Sequence, residues 1–163
     1  MDEKTKEFHR RCGEILRKAI HVESNLDSLI FNYFCYPQHD KGFLFLDSIL
    51  NRTNFERKIE ILKQICEKEE VELEADVIDS IKFVKDKRNR VTHHEAWAVD
   101  WGEGTVLRRL RARKGGQMEQ LELTNDLMKQ VEEKRLYAIK GLAKVNLELS
   151  KHYIPRFNEL LQR

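Results

Sequence analysis

The feature that most restricts how this chain can fold is a long apolar stripe near its start. Phe8, Cys12, Ile15, Ala19, Val22, Leu26, Leu29 and Tyr33 recur at alternating steps of four and three. Only an α-helix puts that spacing on one face, so the pattern predicts a helix from near residue 4 to about residue 34. A second row runs beside it through Leu16, Ile20, Glu23, Asp27, Ile30 and Phe34. Two carboxylates therefore interrupt an otherwise apolar row.

The rest of the chain continues in helices. Pro37 and the turn His39-Asp40-Lys41-Gly42 end the first one, and Phe43 to Leu50 reads as a short apolar second helix. Thr53-Asn54-Phe55-Glu56 matches a capping box with Thr53 as N-cap. It opens a third helix with Phe55, Ile59, Leu62 and Cys66 on one face. The six carboxylates between Glu67 and Asp76 read as a solvated connection. A fourth helix is expected over roughly 74 to 93, its stripe made of Val77, Ile81, Val84 and Val91, with Arg88 on the same line.

Residues 95 to 123 break the helical pattern. Trp97 to Trp101, Thr105 to Arg113 and Gln117 to Leu123 read as three strands separated by glycine turns. The last helix, about Asn125 to Ser150 with Thr124 as N-cap, buries Leu127, Val131, Ala138, Leu142, Val145 and Leu149. Pro155 is expected to break or kink the remaining residues. The expectation is one all-α domain over residues 1–163: an antiparallel helical bundle with a small β-hairpin or meander inserted at about 95–123 before the last long helix.

Composition narrows the function. With 36% charged residues, 40% hydrophobic ones and a net charge of only +2, neither a nucleic acid nor a membrane is demanded by overall charge. No apolar run approaches the ~20 residues that cross a bilayer, and the polar N-terminus lacks a signal core. Cys12, Cys35 and Cys66 are odd in number and far apart, as reduced thiols of a cytoplasmic protein would be. No cofactor motif and no metal-ligand spacing is apparent; His93-His94-Glu95 are merely adjacent.

Chemistry concentrates at the end of the fourth helix. An arginine on an apolar stripe is costly unless paired, so the bland reading of Arg88 is a structural ion pair with Glu23 or Asp27. Asn89 and His93 are four apart and share a helix face. Arg88 lies roughly 140° from His93 around an ideal helix, so the two converge only on a site shared with another surface. Further on, Arg108 to Lys114 places five basic residues among seven. Strand alternation groups Arg109, Arg111 and Arg113 on one face, either as a charged edge that discourages aggregation or as a phosphate-tracking ribbon. Trp97 and Trp101 read as core packing, with base stacking as the alternative.

The segment Arg88-Asn89-x-x-x-His93 resembles the RNxxxH form of the Rx4–6H motif of HEPN-superfamily ribonucleases. The order of helices over roughly residues 10 to 94 is similar too, and the β-insertion lies outside that common bundle. The resemblance implies metal-independent RNA cleavage in a site formed across a homodimer, with no cofactor. It implies Arg88, Asn89 and His93 as catalytic residues. Beside it, the residue pattern itself offers Glu23 and Asp27, with His94, as supporting residues and Arg109, Arg111 and Arg113 as RNA contacts. His94 also fits the looser motif and is a rival to His93. A toxin or defence role with an antitoxin or regulatory partner is a further implication. No Tyr lies two residues after either histidine, unlike HEPN toxins silenced by modification of such a tyrosine. The alternative is a non-catalytic bundle that binds RNA, a nucleotide or a protein.

Overall fold

The computed structural model describes residues 3–36, 40–92, 106–111 and 117–161. Five helices account for most of them: α1 (Glu3–Cys35), α2 (Asp40–Ser48), α3 (Phe55–Lys68), α4 (Ala75–Thr92) and α5 (Asn125–Leu161). A 3-10 turn, Leu50–Arg52, leads into α3. Strands β1 (Val106–Arg111) and β2 (Gln117–Glu122) form a two-stranded antiparallel sheet between α4 and α5. The architecture is the expected all-α bundle with a small β-insertion. The strand expected at Trp97 to Trp101 lies outside the described residues.

The α1 stripe is the spine of the core. Ile15, Ala19, Val22, Leu26 and Leu29 are almost wholly buried, with Phe8 close behind. Ala19, Val22, Leu26 and Leu29 pack with Ile59 and Leu62 of α3, Val77, Ile81 and Val84 of α4, and Ala138, Leu142 and Leu149 of α5, whereas Phe8 and Ile15 cluster with Leu121 and Leu123. Contacts fix the helix directions. Arg11 reaches Leu123 and Asn125, Lys18 reaches Glu132, His21 reaches Arg135, and Tyr36 meets Tyr153. Numbers rise together, so α1 and α5 are parallel neighbours. Glu74 at the head of α4 instead meets Tyr137 and Lys144 of α5, and Val91 at its foot joins the cluster of Leu127 and Met128. Helix α4 is therefore the antiparallel member.

Local chemistry moves several boundaries. Asn54, not Thr53, caps α3: its side chain accepts the Arg57 N–H at 2.9 Å, while the Thr53 hydroxyl donates back to the Ile49 carbonyl. The cap is displaced by one residue because both side chains can cap, and the 3-10 turn claims Thr53. Residues 40–42, expected as turn, begin α2. Gly42 permits this, since a Cβ there would lie 3.1 Å from that of Cys35. Thr124 caps α5 as expected, accepting the Leu127 N–H at 3.1 Å.

Pro155 does not end α5, which runs on to Leu161. The ring costs a backbone hydrogen bond, but tertiary contacts hold the turns beyond it. Tyr36 packs edge-on against Phe157, and Arg156 binds Glu69 through both terminal nitrogens.

Helices α4 and α5 touch at Gly141, where an added Cβ would sit 2.8 Å from Val77 Cγ1. Gly141→Ala gains helix propensity of about 1 kcal/mol, yet it must push the buried, β-branched Val77 aside. A net loss of about 1–3 kcal/mol in chemical denaturation is expected; unchanged or higher stability would contradict this close approach.

Candidate functional site

The candidate site lies at the foot of α4. Val91 faces inward against the cluster of Phe8, Ile15, Leu121 and Leu123, which ties the helix end to α1 and to the root of the hairpin. Thr92 closes the last turn by donating its hydroxyl to the Arg88 and Asn89 carbonyls, at 3.0 and 3.3 Å. Arg88 and Asn89 are thereby held on ordered helix, each half-buried. The Arg88 Nη1 lies 3.4 Å from Asn89 Oδ1, a long contact that aligns the two side chains.

The expected pairing of Arg88 with Glu23 or Asp27 does not form. Both carboxylates converge on Lys58 of α3, whose ammonium donates to Glu23 Oε1 and Asp27 Oδ2 at 2.9 Å each. Lys58 is only 3% exposed, so α3 supplies the cation that the α1 carboxylates require. Burial pushes the Asp27 carboxyl above its ordinary value, with Lys58 pulling it back and Glu23 adding to the rise. Glu23 and Asp27 thus support the α1–α3 packing and do not engage the Arg88 guanidinium.

The neighbours of Arg88 differ from it. Arg90 Nε lies 3.0 Å from Asp86 Oδ2, Lys87 lies 3.5 Å from the same carboxylate, and Lys85 pairs with Glu56. Among the described residues, Arg88 has no carboxylate partner.

His93, His94 and Arg113 lie outside the described residues, as do Trp97 and Trp101. Arg109 and Arg111 stand on β1 opposite Glu119 and Gln117 of β2. No three His, Cys, Asp or Glu side chains among the described residues gather as a metal site would require. No described helix is long and apolar enough to cross a membrane. No protein-family model, curated protein or solved structure matches the chain.

Two charged residues that the apolar stripes do not single out prove central. Lys58 stands three residues after Phe55 and four before Leu62, on the apolar face of α3; that spacing is the available signal. Glu69 has none, being one of six carboxylates in a run expected to be solvated. Helix α3 ends in a Schellman turn, with the Val71 N–H bonded to the Cys66 carbonyl and Glu70 at a φ of 56°. This turn sets Glu69 inward, where it accepts from Tyr33 and Arg156 and lies 3.3 Å from His152 Nδ1.

The Tyr33 hydroxyl, then Arg156 and His152, hold the Glu69 carboxyl below its ordinary value despite its burial. Stability from this group is present above the unfolded carboxylate value of about 4.3 and disappears as pH falls through the lower folded value. Glu69→Gln is expected to cost about 1–3 kcal/mol at pH 7. Its deficit in urea titrations should shrink on acidification toward pH 3; a deficit that grows instead would contradict this assignment.

Proposed function

We propose that the chain is a metal-independent endoribonuclease of the HEPN type, acting as a symmetric dimer. One observation carries the reading: Arg88 sits half-buried on an ordered helix end without a carboxylate partner among the described residues. A guanidinium not consumed by the fold is suited to a phosphodiester, which its forked donors can grip at two oxygens.

The chemistry follows from the substrate. A ribose 2′-hydroxyl attacks the adjacent phosphorus; the new 2′-O–P bond forms as the P–O5′ bond breaks. One group takes the 2′-hydroxyl proton and another returns a proton to the leaving 5′-oxygen. His93 would serve as general acid or base, since imidazole titrates near neutral pH, with His94 as its rival. Arg88 would neutralise charge on the phosphoryl oxygens, and Asn89 would orient His93 or donate to the phosphate. The hairpin springs from the same end of the bundle, because Leu121 and Leu123 share a cluster with Val91. Arg109 and Arg111 on β1, with Arg113 beyond it, would lead RNA toward that end.

Arg88 and His93 diverge by roughly 140° around an ideal helix, so a second copy is needed to complete each site. Sedimentation at micromolar concentration is expected to find a dimer; a monomer would count against the shared site. The functional test is incubation with mixed single-stranded RNA in excess chelator. Cleavage supports the reading, and RNA that is bound yet left intact contradicts it.

A further inference from the structure

A second basic cluster, with no residue of the α4 site in it, lies between α1 and α5. Arg17, Lys18 and His21 of α1 and Glu132 and Arg135 of α5 line a groove of about 300 Å3. The two helices run parallel, so these residues stand side by side on neighbouring turns. Arg135 grips Glu132 through Nε and Nη2, at 3.0 and 2.5 Å, and the Lys18 ammonium lies 3.4 Å from the same carboxylate. The remaining Arg135 nitrogen, Nη1, lies 2.8 Å from His21 Nδ1. A guanidinium only donates, so Nδ1 is the acceptor and the ring proton sits on Nε2. That N–H remains available to another acceptor.

The charges do not balance. Arg17 makes no hydrogen bond or ion pair with any described residue, and the carboxylate three residues before it, Glu14, is taken by Arg10. Among the residues that line the groove, three permanent cations thus stand against one carboxylate, Glu132, which Lys18 and Arg135 share. Arg17 is not alone in lacking an ion pair, since Arg52, Lys63, Lys134 and Lys140 are exposed without one among the described residues; what sets it apart is its place in a groove with two further cations. Uncompensated positive charge in a concave site repels itself and concentrates anions. The Arg135–Glu132 clamp of α5 holds Lys18 and His21 of α1 in place.

We propose that this groove is a binding site for a phosphate group, held by Arg17, Lys18 and the His21 Nε2–H, with Arg135 positioning the imidazole. Three donors lining one groove, two of them charged, suit the tetrahedral oxygens of a phosphate mono- or diester. The phosphate could belong to a free nucleotide or to an RNA backbone; the chemistry recognised is the same. None of these residues belongs to the ribonuclease site, so the inference stands independently of that reading.

The test is a titration of the full chain, followed by amide and side-chain NMR, with three probes: inorganic phosphate, AMP and a single-stranded oligoribonucleotide. Saturable shifts at Arg17, Lys18, His21 and Arg135 are expected with at least one. Shifts with phosphate and AMP that the oligoribonucleotide does not compete away identify a small phosphate ester as the ligand. Shifts with the oligoribonucleotide alone identify backbone phosphate. Arg17→Glu should weaken binding about tenfold or more, with Arg17→Gln intermediate and Arg57→Glu on α3 unchanged. Absence of saturable shifts with all three probes would overturn the proposal. So would wild-type affinity in Arg17→Glu, or an equal loss in Arg57→Glu.

Discussion

Replacing His93 with Ala is expected to slow RNA cleavage by about 10²–10⁴-fold, the usual contribution of a positioned general acid or base. Arg88→Ala should cost about 10²–10³-fold through lost charge stabilisation on the phosphoryl group. The two variants separate structure from chemistry because Arg88 is not part of the buried ion cluster. With Glu23 and Asp27 already engaged by Lys58, Arg88→Ala should shift folding stability by less than about 1 kcal/mol. Denaturation curves and cleavage rates measured on the same preparations check both halves. If Arg88→Ala loses several kcal/mol together with activity, the arginine is a structural residue. His94→Ala should matter less than His93→Ala, and the opposite ranking would transfer the role to His94.

The largest effect on stability is expected at Lys58. Lys58→Met strips away the one cation that, among the described residues, pairs with two carboxylates set into the α1–α3 interface, at a cost of about 3–5 kcal/mol. The deficit should narrow in mild acid. Burial already raises the Asp27 carboxyl, so its ionised form is the one the fold disfavours. A group raised in this way favours the folded state while protonated and withdraws that support as pH climbs through the folded value. Neutralising the whole cluster, with Glu23→Gln, Asp27→Asn and Lys58→Met together, should recover most of the loss. Urea titrations at pH 7 and pH 4.5 are sufficient to check it. A loss below about 1 kcal/mol for Lys58→Met would mean that the cluster is well solvated.

Helical periodicity makes most of the bundle legible. Phe8, Ile15, Ala19, Val22, Leu26 and Leu29 of the α1 stripe and Val131, Ala138, Leu142, Val145 and Leu149 of the α5 stripe are buried as their spacing requires, while Cys12, Tyr33 and Leu127 are only partly so. Where the structure departs from local rules, long-range contacts override them. Pro155 is a local stop signal for α5, but Tyr36 and Glu69, more than 80 residues away in sequence, hold the turns beyond it. Local pattern carries no information about such distant partners.

The site is legible in part. The carboxylates of Glu23 and Asp27 correctly signal a buried cation, but the sequence pattern matches them with Arg88, whereas the structure places Lys58 there. Amphipathic spacing cannot say which helix lies against which face, and α3, not α4, presents its cation to α1. Glu69 is hidden because its inward turn depends on the backbone after α3, where no periodicity applies. The pairing of β1 with β2 follows from glycine turns and alternation, and its register sets Leu107 opposite Leu121.

In the proposed reaction RNA itself supplies the nucleophile while Arg88 and His93 act on its phosphate. The most direct measurement is end-group analysis of single-stranded RNA incubated with the protein in excess chelator. The expected products carry a 2′,3′-cyclic phosphate and a 5′-hydroxyl, and DNA of the same sequence, lacking the 2′-hydroxyl, stays intact. Cleavage abolished by chelator, cleavage of the DNA, or undiminished cleavage by the His93→Ala, His94→Ala double variant would contradict it.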